Sequence, residues 1–274
     1  MRLIDSHAHL QSDPFEYDRD ETIECTRAAG VERLLVPGWD AASSAAAVEL
    51  AARWSDPEWG IDAAVGIHPH DAGRATEAEW SRVVSLAANP RVVAIGETGL
   101  DFDRMHSTVD EQLANLRRHL RLAAETGKPA ILHCRSAAGG REAQDLLIAE
   151  MRSIRGPAVL HSFSGPVDYA WAALELGAAI AFGGLVFRRG EEASAEVARL
   201  VPAGKLLVET DSPYLAPPGV PRHSGPGFSG RRNSPEWVRI TVEWLAQRRG
   251  TTPDSIGEGL VTAYDATFRR HSPG

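Results

Sequence analysis

Cysteine is scarce in this chain: 2 among 274 residues, Cys25 and Cys134, with no CxxC pair. No disulfide framework is implied, and a reducing compartment fits. Long apolar runs are missing too. The opening MRLIDSHAHLQSD holds no signal-peptide core, and the most apolar later stretch, 176–187, lies between Glu175 and Arg188 and is broken by glycines, too short to span a bilayer. A cytoplasmic location is expected. Positive charge is in deficit: 29 Lys plus Arg against 37 Asp plus Glu give a net −8, which argues against coating nucleic acid or anionic membrane by bulk electrostatics. Short-period repeats and low-complexity tracts are absent, and 43% hydrophobic with 24% charged residues excludes fibrous and wholly disordered classes.

What is present is an alternation. Short aliphatic or β-branched runs predict strands at 2–6, 33–37, 61–67, 92–96, 130–133, 158–161, 179–182 and 206–209. Amphipathic, Ala-rich runs predict helices at 20–29, 42–54, 76–87, 109–126, 141–154, 167–176, 191–200 and 234–248, with 262–268 lying in a C-terminal helix. Gly30 and Gly127 end two of them, and Ser234 before Pro235 and Glu236 opens another. Eight strands alternating with eight helices is the arithmetic of an α/β fold, a (β/α)₈ TIM barrel, taken as one domain over 1–274. An open doubly wound sheet would want a Gly-rich phosphate turn after the first strand, where Asp5-Ser6-His7-Ala8-His9 stands instead. The segment 213–233, with five Pro, four Gly and three Arg, reads as a functional loop over one barrel end.

His7 and His9 are two apart at the end of a strand, so both imidazoles face one side and can reach one metal. Other metal-capable side chains end later strands: Glu97 in GETGLD, His133 in LHCR, His161 in LHSFSG and Asp211 in VETDSP. In such a barrel the C-terminal strand ends converge on the catalytic rim.

The ordered set DSHAHL, GIHPH, GETGLDF, HCR, HSFSG and ETDSPYL resembles the TatD family of metal-dependent deoxyribonucleases, within the amidohydrolase-type barrels. The resemblance implies that His7 and His9 bind one metal, His133 and His161 a second, Glu97 bridges the two, and Asp211 binds the first and takes a proton from the attacking water. It further implies 3'-5' exonuclease action on single-stranded DNA ends. Physical chemistry supports such a pair: two divalent cations about 3.5–4 Å apart acidify a bridging water to hydroxide and stabilise charge on a phosphoryl oxygen. No Lys lies near the Glu97 strand end, which argues against a carbamylated-lysine bridge. The ligand balance favours Zn, Mn or Fe by softness, and the resemblance admits Mg. Two departures from the family pattern are Ser162 in HSFSG, where Cys is common, and the ending TAYDATF, where an Asn is usual before the closing Phe.

Around this set, His68 is expected to contact the scissile phosphate, and Arg135 to bind phosphate through its planar guanidinium. Asp101 is placed either to orient a ligand histidine or to touch substrate, and Glu209, two before Asp211, could do likewise. Cys134 is expected to point away from His133 and pack, and Cys25 to pack within its helix. Phe102 and Phe163 could stack on bases or pack under their loops, packing being favoured for Phe163. Arg188, Arg189, Arg222, Arg231 and Arg232 could form a basic rim. The rival activity is a deacylase or amidase, for instance one acting on misaminoacylated tRNA, which wants an enclosed side-chain pocket. A non-catalytic metal-stabilised binding protein is the third reading.

Overall fold

The computed structural model describes residues 1–55, 59–225 and 228–268. Among them, eight strands pair in chain order: β1 (Leu3–Asp5), β2 (Val31–Pro37), β3 (Gly60–Val65), β4 (Val92–Asp101), β5 (Ala130–Arg135), β6 (Ala158–Leu160), β7 (Ala179–Phe182) and β8 (Leu206–Val208). All seven neighbouring pairs are parallel. The seam between β8 and β1 is closed by backbone bonds: Ser6 N–H donates to Val208 O (3.0 Å), Asp211 N–H to His7 O (2.9 Å) and His9 N–H to Ser212 O (2.7 Å). The result is the predicted (β/α)₈ barrel. Its strands are covered on both faces, which is why they read as aliphatic runs rather than alternating ones.

The helices are α1 (Arg19–Ala28), α2 (Ala41–Arg53), α3 (Glu77–Ala87), α4 (Val109–Thr126), α5 (Glu142–Ser153), α6 (Val167–Glu175), α7 (Glu192–Leu200), α8 (Val238–Arg249) and α9 (Pro253–Phe268). Capping boxes start three of them, Asp40 with Ser43 on α2, Thr76 with Glu79 on α3 and Thr108 with Glu111 on α4. Each cap stabilises its helix by about 1 kcal/mol and fixes where the preceding rim loop ends. Gly127 ends α4 in the left-handed region, as its position predicts.

Several boundaries differ from the sequence reading. β4 runs on to Asp101 instead of stopping at 96, because its register on β5 shifts between Ile95 and Thr98 and then resumes with Thr98 opposite Leu132 and Gly99 opposite His133. Gly99 has φ +144°, and a Cβ there would collide with the His133 carbonyl, so only glycine lets the two strands approach this closely. α8 starts at Val238, after a 3₁₀ turn at Pro235–Trp237, whereas 262–268 does lie in the C-terminal helix α9. The 213–233 segment carries a small antiparallel hairpin, β9 (His223–Gly225) with β10 (Phe228–Gly230), and its positions 226–227 lie outside the described residues. Cys25 does not pack: α1 buries Thr22, Ile23 and Thr26, which turns Cys25 to the exposed side. Among the described residues, no helix is long and apolar enough to cross a membrane.

Candidate metal centre

The C-terminal strand ends open into a cavity of about 990 Å³ whose floor holds five of the six predicted ligands, His9, Glu97, His133, His161 and Asp211, with the fully buried His7 directly beneath. His7 and His9 follow β1, and their Nε2 atoms are 3.2 Å apart, as their shared face predicts. Asp211 follows β8 with φ +54° and points Oδ1 to His9 Nε2 (3.5 Å) and His7 Nε2 (3.9 Å). This edge of the centre is set by buried Asp5, whose carboxylate accepts from Thr210 N–H (2.9 Å), Thr210 Oγ1–H (2.6 Å) and His7 N–H (3.2 Å). Glu97 stands in the middle. Its Oε2 is 3.3 Å from His7 Nε2 and 3.7 Å from His9 Nε2, while Oε1 is 3.0 Å from His161 Nε2 and 3.2 Å from His133 Nδ1.

Hydrogen bonding decides what these atoms can do. Glu209 Oε1 takes His161 Nδ1–H (3.2 Å) and Ser162 N–H (2.5 Å), so in its neutral, metal-binding form the His161 ring turns its Nε2 lone pair toward Glu97. Asp101 Oδ2 takes His133 Nε2–H (3.2 Å), which likewise leaves the Nδ1 lone pair of His133 facing Glu97. In those neutral forms, lone pairs of imidazole and carboxylate converge at about 3 Å, an arrangement that repels unless a metal ion or a proton lies among them. Three overlapping donor groups result: His7, His9 and Asp211; His7, Glu97 and His161; His68, Glu97 and His133. The donor set of imidazoles and carboxylates fits divalent cations.

The same crowding moves the protonation equilibria. Burial alone would raise the Glu97 carboxyl, but the surrounding imidazoles of His161, His68 and His7 hold it well below the usual range. Burial likewise opposes charge on His161, and the Glu97 and Glu209 carboxylates overcome it and raise that ring well above its ordinary value. Asp211 is lowered by His9, His161 and His7 against its burial. Burial takes His68 down to about 4 despite Glu97.

His68 sits closer to the centre than a pure phosphate contact requires, with Nε2 3.4 Å from Glu97 Oε1. Its Nδ1 accepts from His70 N–H (3.1 Å), which leaves the proton on Nε2 and makes that atom a donor in this arrangement. Arg135 lines the cavity but pairs with Asp103 (2.8 Å). Asp101 is buried, accepts Asp103 N–H and Arg104 N–H on Oδ1, and bonds His70 Nε2 (2.9 Å) as well as His133, so it orients histidines. Cys134 packs against the core, where burial pushes its thiol up to about 12.

The aromatic and basic expectations fare differently. Phe163 is buried against Tyr169 and Phe182, and Phe102 packs on the core, so neither presents a face to the cavity. The proposed rim of Arg188, Arg189, Arg222, Arg231 and Arg232 does not line it either. Arg232 is drawn back by Asp18 (2.5 and 2.7 Å) over the Phe15 ring, and the other four stay on the exposed surface of their loops. The cavity is instead lined by Arg104, His106 and His70 beside Arg135, and by Trp39 and Tyr214 across from them. The second His of GIHPH and the Tyr of ETDSPYL were visible signals for His70 and Tyr214. Trp39 had none beyond its place after β2.

A closed eight-stranded barrel with histidines and carboxylates gathered at its C-terminal rim defines the class: a metal-dependent hydrolase of the (β/α)₈ type. The family model described as TatD related DNase matches residues 4–269. The 3'-5' ssDNA/RNA exonuclease TatD of Cronobacter sakazakii is 39% identical over 254 residues, 92% of either chain. Its namesake from Escherichia coli K12 is 38% identical over 250 residues, 90% of this chain and 92% of the other. The crystal structure of YJJV, a TatD homologue from Escherichia coli, superposes with a TM-score of 0.83 at 27% identity, covering 98% of this chain and 99% of that one. The chain belongs to the TatD related DNase family.

Proposed function

We propose that the protein is a two-metal deoxyribonuclease that trims single-stranded DNA from the 3' end in the cytoplasm, with 1–274 acting as one hydrolase domain. The observation that carries this reading is the convergence of histidine lone pairs on Glu97 at the floor of a cavity edged by Arg104 and Arg135. Polarity and single-strandedness are taken over from the names of the relatives.

His7, His9 and Asp211 would hold one divalent ion and His133 and His161 the second, with Glu97 shared between them. Bound Mg, Mn or Zn supplies Lewis-acid stabilisation of phosphoryl charge and an acidified water. Glu97 keeps two like charges together as the anion between them. The Nε2–H of His68 donates to a non-bridging phosphate oxygen, and the Arg135 guanidinium supports the substrate phosphate. Asp211, ionised at neutral pH, accepts the proton from the attacking water. Glu209 and Asp101 hold the tautomers on which the ligand histidines depend. Two divalent ions bring more positive charge than the two carboxylates cancel, so a net-acidic protein can still bind a few nucleotides locally.

Purified protein incubated with 3'- and 5'-labelled single-stranded DNA, metal by metal, tests the reading, with an aminoacyl-tRNA ester run beside it. Mononucleotide release from the 3' end is expected. Asp211→Asn should keep the fold and lose about 10²- to 10⁴-fold in kcat; an unchanged rate at saturating metal overturns its assignment, and ester cleavage without phosphodiester cleavage overturns the substrate.

A further inference from the structure

The cavity walls differ from one side to the other. After β4 and β5 stand Arg104, His106 and Arg135; Tyr214 stands after β8, four strands round from β4, and Trp39 stands after β2. Among the described residues lining the cavity, Arg104 and Arg135 are the Arg or Lys side chains; Asp103 pairs with both, at 3.9 Å and 2.8 Å, while the lining carboxylates Asp101 and Asp71 are taken up by His70 and His133 and by Arg74. That wall carries the guanidinium groups of the cavity, and none stands beside Tyr214 and Trp39.

Tyr214 is 56% exposed, a large aromatic surface left in water with no packing reason for it. Its backbone is nevertheless fixed, since Tyr214 N–H donates to Asp211 O (2.9 Å), and its ring meets His9 at 6.0 Å between centroids. Trp39 meets the same imidazole at 5.4 Å, its own N–H donating to Ser43 Oγ and its carbonyl accepting His68 N–H. Both aromatics are therefore held against one edge of the centre by bonds to the α2 cap and the proposed site residues.

A strand cut one nucleotide from its end is chemically asymmetric. The part that stays carries further phosphates and wants cations. The terminal nucleoside carries no phosphate beyond the scissile one, and offers a base whose flat face wants an aromatic partner. We propose that Tyr214, backed by Trp39, is the stacking platform for the base of the terminal nucleotide, while the remaining strand leaves across Arg104 and Arg135. The inference rests on the nuclease reading and adds a direction to it: the structure orients the strand across the mouth from β5 toward β8.

The test is a cycle between protein and substrate. Wild type, Tyr214→Ala and Tyr214→Phe are assayed on single-stranded DNA that is intact, abasic at the 3'-terminal nucleotide, or abasic at the fourth nucleotide from that end. Stacking predicts that removing the terminal base lowers wild-type kcat/KM by about 5- to 150-fold, mostly through KM. Tyr214→Ala should lose as much on intact DNA and nothing further on the terminally abasic strand, and Tyr214→Phe should behave as wild type. The internal abasic site should leave the effect of Tyr214→Ala unchanged. Equal sensitivity of wild type and Tyr214→Ala to the terminal abasic site overturns the platform while the nuclease reading stands. Failure of wild type to cleave any of the three strands overturns both.

Discussion

Glu209→Gln isolates how a residue that cannot touch substrate sets up the metal centre. Glu209 is fully buried, and one oxygen takes both His161 Nδ1–H at 3.2 Å and Ser162 N–H at 2.5 Å, while the other has no protein partner. A glutamine of the same shape can keep both bonds through its carbonyl. What it loses is the charge, and a hydrogen bond to a charged group is worth roughly 1.5–3 kcal/mol against 0.5–1.5 kcal/mol for a neutral one. The difference, on the order of 1–2 kcal/mol, falls on the basicity and orientation of the opposite nitrogen, His161 Nε2, 3.0 Å from Glu97 Oε1. Metal affinity should drop about 5- to 30-fold, which is the same energy expressed as binding. Competition against a chromophoric chelator measures the affinity, and turnover as a function of metal concentration should recover to within a few-fold of wild type at saturation. A folded Glu209→Gln protein with wild-type metal affinity would refute the reasoning, and lost turnover that no metal concentration restores would place Glu209 in a different role.

Three further outcomes follow from single contacts. Asp103→Ala frees the Arg135 guanidinium and should lower KM for single-stranded DNA, whereas Arg135→Ala should raise it and flatten the slope of log kcat/KM against log salt by about 0.7. Gly99→Ala should cost about 2–3 kcal/mol or more by urea unfolding, since its Cβ meets the His133 carbonyl at a left-handed φ. His119 gives the pH dependence: buried on α4, it accepts Ile67 N–H on Nε2 and binds Asn115 O through Nδ1, and burial takes its pKa down to about 3. The unfolded chain protonates this ring near 6.5 and the folded one does not, so stability present above that pH is lost as the pH falls toward 3. About 1 kcal/mol should go between pH 7.5 and 5.5, and His119→Gln, though less stable outright, should show a shallower fall in Tm over that interval.

The candidate ligands were legible because each stands in the C-terminal half of a strand or just beyond it, and parallel strands in chain order can only deliver their C-terminal ends to one rim. His7 with His9, and the two carboxylates Glu97 and Asp211, needed no more than that rule. The rim's basic side chains were not legible, because loop arginines carry no periodicity: Arg232 answers to Asp18, 214 positions away, and no local pattern announces that pair. The length of β4 was hidden for a related reason. Its glycines read as a strand end, when Gly99 is where the strand passes closest to β5. Phe163 and Phe102 drew attention as motif neighbours, yet apolar rings beside a core join it, and the exposed ring was that of Tyr214.

The bond from Thr210 to Asp5 spans 205 positions, and His7 and Asp211 lie on its two sides. No fragment from the beginning of the chain, however long, contains the centre until β8 has been made and has found β1. A growing polypeptide therefore lacks the complete donor set at this edge during most of its synthesis, and that set comes into being with the last strand. Saturable uptake of one ion by His7, His9 and Asp211 is in that sense a report that the ring of strands has shut, readable in a refolding experiment without any DNA present.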